Sequence, residues 1–184
     1  MKKFVMAMLI IVSTHSVAMA GDGQGMDFSP VYNDQSQAMD LKGTALKRAF
    51  FIKAFVAGCY LGRGISPQEV LSDVPKRIEV SYFVHIPGIK LTRYTKDLMQ
   101  KNISASEYRG LSDELKLMQE YFVDLNPGDR YALTYIPDVG TRFEHNGRLV
   151  GIIKGELFAK AVFSVWLGER PMDLSVKNKI LGLS

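Results

Sequence analysis

The segment from Asp138 to Gly168 constrains the fold more than any other part of the chain. It reads as a strand, a tight turn at Asn146-Gly147, a second strand, and then a helix that carries the only tryptophan. Asn-Gly between two extended runs is the strongest short signal for a β-hairpin, because both turn residues must adopt positive φ. The apolar residues that follow recur with the period of a helix lying against a sheet, at positions 157, 158, 161, 162, 165 and 166. The segment contains no acid pair, metal-ligand cluster or nucleophile–base spacing, so it predicts a scaffold and a pocket wall.

The first 20 residues have the organisation of a secretory signal peptide. Lys2 and Lys3 form a positive start, an apolar run extends from Phe4 to Val12, and Ala18-Met19-Ala20 is a small-x-small cleavage site. The apolar run is short of the roughly 20 residues that a membrane-spanning helix needs, so an uncleaved anchor is the less favoured alternative. We therefore expect cleavage after Ala20, a periplasmic or secreted location, and no stable membrane insertion afterwards.

Charge and cysteine content narrow the classes of function for the remaining chain. The formal net charge of +4 falls to +2 when Lys2 and Lys3 leave with residues 1–20, which contain no acid. Nucleic-acid binding requires a basic patch or stripe, so a charge this small argues against that class. The single cysteine, Cys59, cannot form an intrachain disulfide and is predicted to be a small buried hydrophobic residue.

The distribution of strand and helix patterns predicts one α+β domain over residues 38–184, after a flexible lead-in over residues 21–37. A long strand is apolar on both alternating sets and is therefore expected in the middle of a sheet. The next strand alternates, with Ile78, Val80 and Tyr82 on its apolar face and Arg77 and Glu79 on its polar face. Strands mixed with segregated helix pairs indicate a sheet with helices on one face. The predicted elements are a strand or hairpin over 39–47, strands over 48–61 and 77–86, helices over 90–101 and 107–125, strands over 131–136, 141–145 and 148–153, and two final helices.

Three blocks of sequence resemble the exported bacterial branch of the chalcone isomerase-like proteins. One is the pattern NG followed by GxIxGExFAxAxFxxWLGxxPxD, from Asn146 to Asp173. Another is LKGTALKRAFFIKAFVAGCYLG, from Leu41 to Gly62, and the third is Leu125-Asn126-Pro127-Gly128-Asp129 before a strand. The resemblance covers most of residues 38–182. It implies an open-faced β-sandwich, with an antiparallel sheet, helices packed on one face, and a ligand cleft between sheet and helices.

The polar residues that plant chalcone isomerases use to close a flavanone ring are largely absent at the matching positions. The arginine falls at Lys47 or Arg48, depending on register, and the strand threonine falls on Phe55. The remaining positions, a helical tyrosine–lysine–asparagine set and a late threonine or serine, fall on Leu91, Tyr94, Leu98 and Val165. Losing one donor that stabilises developing negative charge costs on the order of 100-fold in rate. We therefore expect no catalytic residues for this cyclisation.

An apolar cleft with a cation near its mouth suits an amphipathic anion such as a fatty acid. Non-catalytic plant relatives bind fatty acids, so the resemblance has the same implication. The predicted ligand-binding residues are Lys47, Arg48, Phe55, Leu91, Tyr94, Leu98 and Val165, with Lys47 or Arg48 as the cation and Tyr94 as its nearest polar neighbour. No cofactor and no metal are expected, because the separated histidines have no carboxylate at ligand spacing.

Two other classes of function are alternatives to ligand binding. An isomerase of the intramolecular lyase type would use Tyr94 with Lys47 or Arg48, and its rate would depend on the Tyr94 hydroxyl. A partner-binding envelope protein would instead expose an apolar patch.

Overall fold

A computed structural model describes residues 27–34 and 37–183, so the predicted signal peptide lies outside the described residues. Seven strands pair in sequence order into one antiparallel sheet. The strands are β1 (Val31–Asn33), β2 (Ala38–Ala49), β3 (Ile52–Gly62), β4 (Lys76–Tyr82), β5 (Arg130–Ile136), β6 (Gly140–His145) and β7 (Arg148–Ile153). The helices are α1 (Gly88–Asn102), α2 (Ala105–Arg109), α3 (Ser112–Tyr121), α4 (Glu156–Leu167) and α5 (Leu174–Ile180), with a 3-10 turn at Pro67–Glu69.

The sheet is curled, and the helices pack against one of its faces, which confirms the predicted α+β class. This inner face bears Ile78, Val80 and Tyr82 of β4, and it forms the main hydrophobic core with α4 and α1. The opposite face, here called the outer face, bears Arg77 and Glu79. Among the described residues no helix is long and apolar enough to cross a membrane.

The long strand predicted over residues 48–61 is observed as β3 from Ile52 onwards, but its first residues form a hairpin turn with β2. Strand β2 ends at Ala49 and β3 begins at Ile52, with Ala49 paired to Ile52 across a two-residue turn. The turn residues Phe50 and Phe51 are 96% and 97% exposed. Beyond the turn β3 is buried from Phe55 onwards and lies inside the sheet, between β2 and β4, as its two apolar faces predicted.

The region predicted as one helix over residues 107–125 is divided in two. Ser104 caps α2 by accepting a hydrogen bond from the Glu107 backbone N–H at 3.2 Å, and α2 ends at Arg109 with Gly110 as its C-cap. Glycine has a low helix propensity, which favours the break. The predicted apolar stripe is nevertheless buried throughout, at Leu111, Leu115, Met118, Phe122 and Leu125.

Residues 27–34 lie across the outer face, which corrects the predicted flexible lead-in for this part of the chain. Strand β1 pairs with β2, and Tyr32 packs its ring 4.1 Å from the Arg77 guanidinium. The Phe28 ring lies over Gly58, where an added Cβ would stand 2.7 Å from a ring carbon. Aromatic side chains therefore anchor this segment, and Gly58 allows their close approach to the strand.

Candidate functional site

A cavity of about 290 Å³ lies between the inner face of the sheet and helices α1 and α4. Its walls are predominantly apolar. The sheet contributes alternate residues of β4 and β5, and the helices contribute residues spaced by three and four positions. The lining consists of Phe55, Ile78, Val80, Tyr82, Ile86, Lys90, Leu91, Tyr94, Thr95, Phe122, Tyr131, Leu133, Val162, Val165, Trp166 and Met172.

The periodicities of the sequence account for this convergence. Strand alternation places Ile78, Val80 and Tyr82 on one face, and the helical period places Val162 and Val165 on the side of α4 that meets them. Pairs of aromatic rings close part of the wall. The Phe55 ring meets Trp166 edge to face, with centroids 5.6 Å apart, so the only tryptophan serves both the core and the cavity.

The start of α1 is fixed by the loop that follows α3. The Gly88 backbone N–H donates a hydrogen bond of 2.8 Å to the Asp124 carboxylate. A Cβ at Gly88 would lie 2.5 Å from the Phe122 carbonyl oxygen, so glycine allows the two backbones to approach closely. This contact determines which turn of α1 faces the cavity.

Polar groups at the cavity belong to α1 and to two strand tyrosines. The Tyr131 hydroxyl donates to the Tyr121 carbonyl at 3.2 Å. Burial raises the pKa of Tyr82 and of Tyr131, so both hydroxyls remain protonated and neutral. Lys90 is exposed and lines the cavity, which places a cation at the rim. Among the described residues it forms no ion pair.

Comparisons with known proteins identify the family. A family-wide sequence profile described as chalcone isomerase-like matches residues 20–182. The chain belongs to the chalcone isomerase-like family. Among solved structures, the crystal structure of a fatty-acid binding protein of Arabidopsis thaliana is similar, with a TM-score of 0.67 at 14% sequence identity. The similarity covers 88% of this chain and 94% of that one, and at this identity it supports the fold alone. No curated protein matches the sequence.

The structure brings together four of the seven residues that the chalcone isomerase-like resemblance predicted for the site. Phe55, Leu91, Tyr94 and Val165 line one cavity. Tyr94 is 48% exposed, so it stands at the rim of the cavity. Leu98, two turns beyond Leu91 on α1, is buried in the core and does not line the cavity.

The two predicted cations take positions beside the cavity. Lys47 lies opposite Phe55 in the β2–β3 register, so its side chain is on the inner face. Its ammonium group pairs with the carboxylate of Asp173, next to the cavity residue Met172. This hydrogen bond is the first cause of the lowered pKa of Asp173, and the Val176 backbone N–H adds to it. Arg48 is exposed near the hairpin turn. A role for either cation in binding stays a prediction.

Sequence reasoning missed Lys90, although a signal for it was present. Lys90 and Tyr94 are four residues apart, so they lie on the same face of α1. Tyr82 was predicted on the apolar face of its strand. What the spacing could not show is that the first turns of α1, and not the later turn that carries Leu98, lie over the open part of the sheet.

Cys59 is buried, as predicted, with its thiol kept protonated. Burial raises the pKa of this thiol to about 12, so the thiolate needed for nucleophilic or redox chemistry does not form near neutral pH. Among the described residues no group of three or more histidine, cysteine or acidic side chains could hold a metal ion.

Proposed function

We propose that this protein is a periplasmic, non-catalytic chalcone isomerase-like protein that binds an amphipathic apolar molecule, such as a fatty acid. The observation that carries the proposal is an apolar cavity with a cation at its rim. Each methylene that leaves water contributes about 0.8 kcal/mol, before the costs of association. The apolar walls at Ile78, Val80 and Val162 would hold the alkyl chain.

The carboxylate end is assigned to the first turns of α1. The Lys90 ammonium would supply the charge, and the Tyr94 hydroxyl, one turn further on, would supply a hydrogen-bond donor. Both groups are partly in water, so the attraction is screened and modest. The binding function of the similar plant protein motivates fatty acids as the first ligands to test.

The absence of catalysis is inferred from the residues at the positions where plant enzymes carry donors. Leu91 and Val165 line the cavity there and offer no hydrogen bond. The protonated Tyr82 and Tyr131 hydroxyls can orient a ligand, but burial disfavours their ionised forms, which a general base would require. An isomerase would instead show a pH-dependent rate that is lost in Tyr94→Phe.

Native mass spectrometry of the mature chain, purified gently from the periplasm and followed by solvent extraction, tests the proposal. We expect a bound lipid at one per chain. Displacement of a fluorescent fatty acid then compares a fatty acid with the alcohol of the same chain length. In Lys90→Met the affinity for the acid should fall roughly tenfold, while the affinity for the alcohol stays unchanged.

Lys47→Met and Arg48→Met are the matched controls, because both remove a cation outside the cavity lining. A loss of acid binding in either of them, with none in Lys90→Met, would move the anion site back to the position predicted from the family resemblance. An apo mass that ignores added fatty acids and alcohols would refute ligand binding and favour the partner-binding alternative.

A further inference from the structure

The tip of the β2–β3 hairpin exposes a contiguous apolar cluster. Phe50, Phe51 and Ile52 are 96%, 97% and 64% exposed, so they contribute almost nothing to the core. Single exposed apolar residues are ordinary on protein surfaces, but three in succession at a projecting tip mark a site of interaction.

Turn formation does not explain these residues. Phe50 has a φ of +53°, a left-handed conformation that bulky residues rarely adopt and that costs on the order of 1 kcal/mol or more. At the corresponding first turn position the β6–β7 hairpin has Asn146, at a φ of +50°, and asparagine is one of the residues that such positions favour. A phenylalanine at the β2–β3 tip therefore serves something other than local folding.

The charged residues that flank the turn in sequence are all positive. Arg48 is exposed and Lys53 is partly exposed, one on each strand next to the turn. The sequence contains no acidic residue from Leu41 to Gln68. Apolar side chains at a tip with cations behind them are complementary to a membrane surface with anionic headgroups, where aromatic rings enter the interface and cations stay among the phosphates.

The tip projects from the wall of the cavity. Phe55, three residues after Ile52, lines the cavity, and a strand rises about 3.3 Å per residue, so the tip extends roughly 10 Å beyond that wall. Two further exposed apolar residues stand at the same end: Ile89, next to Lys90 on the rim, and Leu174, next to the Lys47 partner Asp173.

We propose that the β2–β3 tip docks this protein on membranes that contain anionic phospholipids. Phe50, Phe51 and Ile52 enter the interfacial layer, and Arg48 and Lys53 contact the lipid phosphates. The contact is peripheral, and it brings the cavity rim towards the bilayer surface. This surface is independent of the proposed ligand binding and can be tested in the absence of any fatty acid.

Co-sedimentation of the mature chain with phosphatidylglycerol-containing vesicles, compared with pure phosphatidylcholine vesicles, measures the docking. The decisive variant is Phe50→Asn/Phe51→Gly, which gives the tip the turn residues of the β6–β7 hairpin. We expect its partitioning to fall roughly 100-fold, with a melting temperature equal to or above that of the wild type, because asparagine tolerates the positive φ at position 50 better than phenylalanine does. Arg48→Gln/Lys53→Gln should remove the preference for phosphatidylglycerol and the salt dependence.

Leu149→Ser/Ile152→Ser is the matched control, because it removes two exposed apolar side chains from β7. It should leave partitioning unchanged. The proposal is overturned if the wild type does not sediment with phosphatidylglycerol vesicles, or if the Asn-Gly variant sediments equally well. It is also overturned if the wild type is a homodimer in solution that the Asn-Gly variant dissociates, since the tip then serves a protein contact. The affinity of the Asn-Gly variant for fatty acids, measured by displacement of a fluorescent fatty acid, reports separately on the cavity.

Discussion

The two faces of the sheet carry cavities of nearly the same size and opposite chemistry. The inner cavity measures about 290 Å³ and is predominantly apolar. The outer cavity measures about 270 Å³ and is lined by Arg77, Glu79, Arg130 and Glu144, together with tyrosines and residues near the start of the described chain. Strand β4 forms part of the wall of both cavities, because its successive side chains point to opposite faces of the sheet.

The charges of the outer face are mutually compensated. The Arg77 guanidinium donates two hydrogen bonds to one Glu79 oxygen, at 2.9 and 3.1 Å, and also contacts Glu144. Arg130 pairs with the other Glu79 oxygen. On the same face Arg142 donates two hydrogen bonds to Asp34, at 2.7 and 2.8 Å, and so ties residues 27–34 to β6. The outer face therefore joins parts of the protein, whereas the inner face leaves room for an apolar guest.

Replacing Arg77 gives the largest expected effect. It tests whether the ion pairs of the outer face hold parts of the protein together. In Arg77→Met, Glu144 loses its buried partner and Glu79 keeps only Arg130. Breaking a buried ion pair from one side costs about 3–5 kcal/mol. Urea denaturation should show this loss in the free energy of unfolding, while the folded variant binds fatty acids with unchanged affinity.

The control for Arg77 is Arg63, whose ion pair with Asp40 spans 3.5 Å and is largely exposed. Arg63→Met should change stability by about 0–1 kcal/mol. If Arg77→Met lowered the free energy of unfolding no more than Arg63→Met, the ion-pair network would not stabilise the fold. If it abolished fatty-acid binding at full stability, the division between the two faces would be wrong.

Lys76 is an exception to the apolar inner face and provides a prediction of pH dependence. Its ammonium group donates to the carbonyls of Ser72 and Val74, at 2.7 and 3.2 Å, and lies 4.7 Å from the Tyr135 ring centroid. Burial lowers the pKa of Lys76 to about 8, from 10.5. Above pH 8 the unfolded chain keeps this proton while the folded one releases it, so Lys76 makes stability rise with pH from there.

The rise amounts to at most about 1.4 kcal/mol per pH unit. It should end near pH 9, where the Cys59 thiol of the unfolded chain ionises while burial raises its pKa to about 12 in the folded protein. Tyrosines of the unfolded chain follow, while burial raises the pKa of Tyr60 to about 12 in the folded protein. Urea denaturation at a series of pH values checks this. Lys76→Met should remove the rise, and Lys116→Met, which replaces an exposed lysine, should retain it. A flat profile in the wild type would mean that Lys76 keeps its ordinary pKa.

Elements with a strong local period could be predicted from the sequence. The alternation of β4 placed Ile78, Val80 and Tyr82 on one face because neighbouring strand residues diverge by geometry alone. Asn146 and Gly147 specified a turn through their tolerance of positive φ. The β2–β3 turn was missed because Phe50 and Phe51 carry no such signal, and pairing of the two flanking strands imposes the turn there.

The site depended on contacts between distant segments, which no single-segment pattern contains. Arg77 meets Glu144 only because β4, β5 and β6 pair in order, so the polar face of β4 could not be recognised as a buried network. Lys90 was missed because the contact between Gly88 and Asp124 determines which turn of α1 reaches the cavity. Phe55, Leu91, Tyr94 and Val165 were found through the family resemblance, which already contains such long-range information.

The smallest of these effects is expected from filling the inner cavity. Val165→Phe places a larger apolar side chain into the space between α4 and the sheet, so affinity for fatty acids should fall roughly tenfold or more, measured by displacement of a fluorescent ligand. Stability without ligand should stay the same or rise slightly, because the ring occupies open volume. Val150→Phe, on partly exposed β7, is the control and should change neither quantity.

If the region around Val165 were a solidly packed core, Val165→Phe would instead cost about 1–3 kcal/mol through overpacking. The sign of the stability change therefore distinguishes an open ligand cavity from a packed core. An unchanged affinity for fatty acids would place the ligand elsewhere.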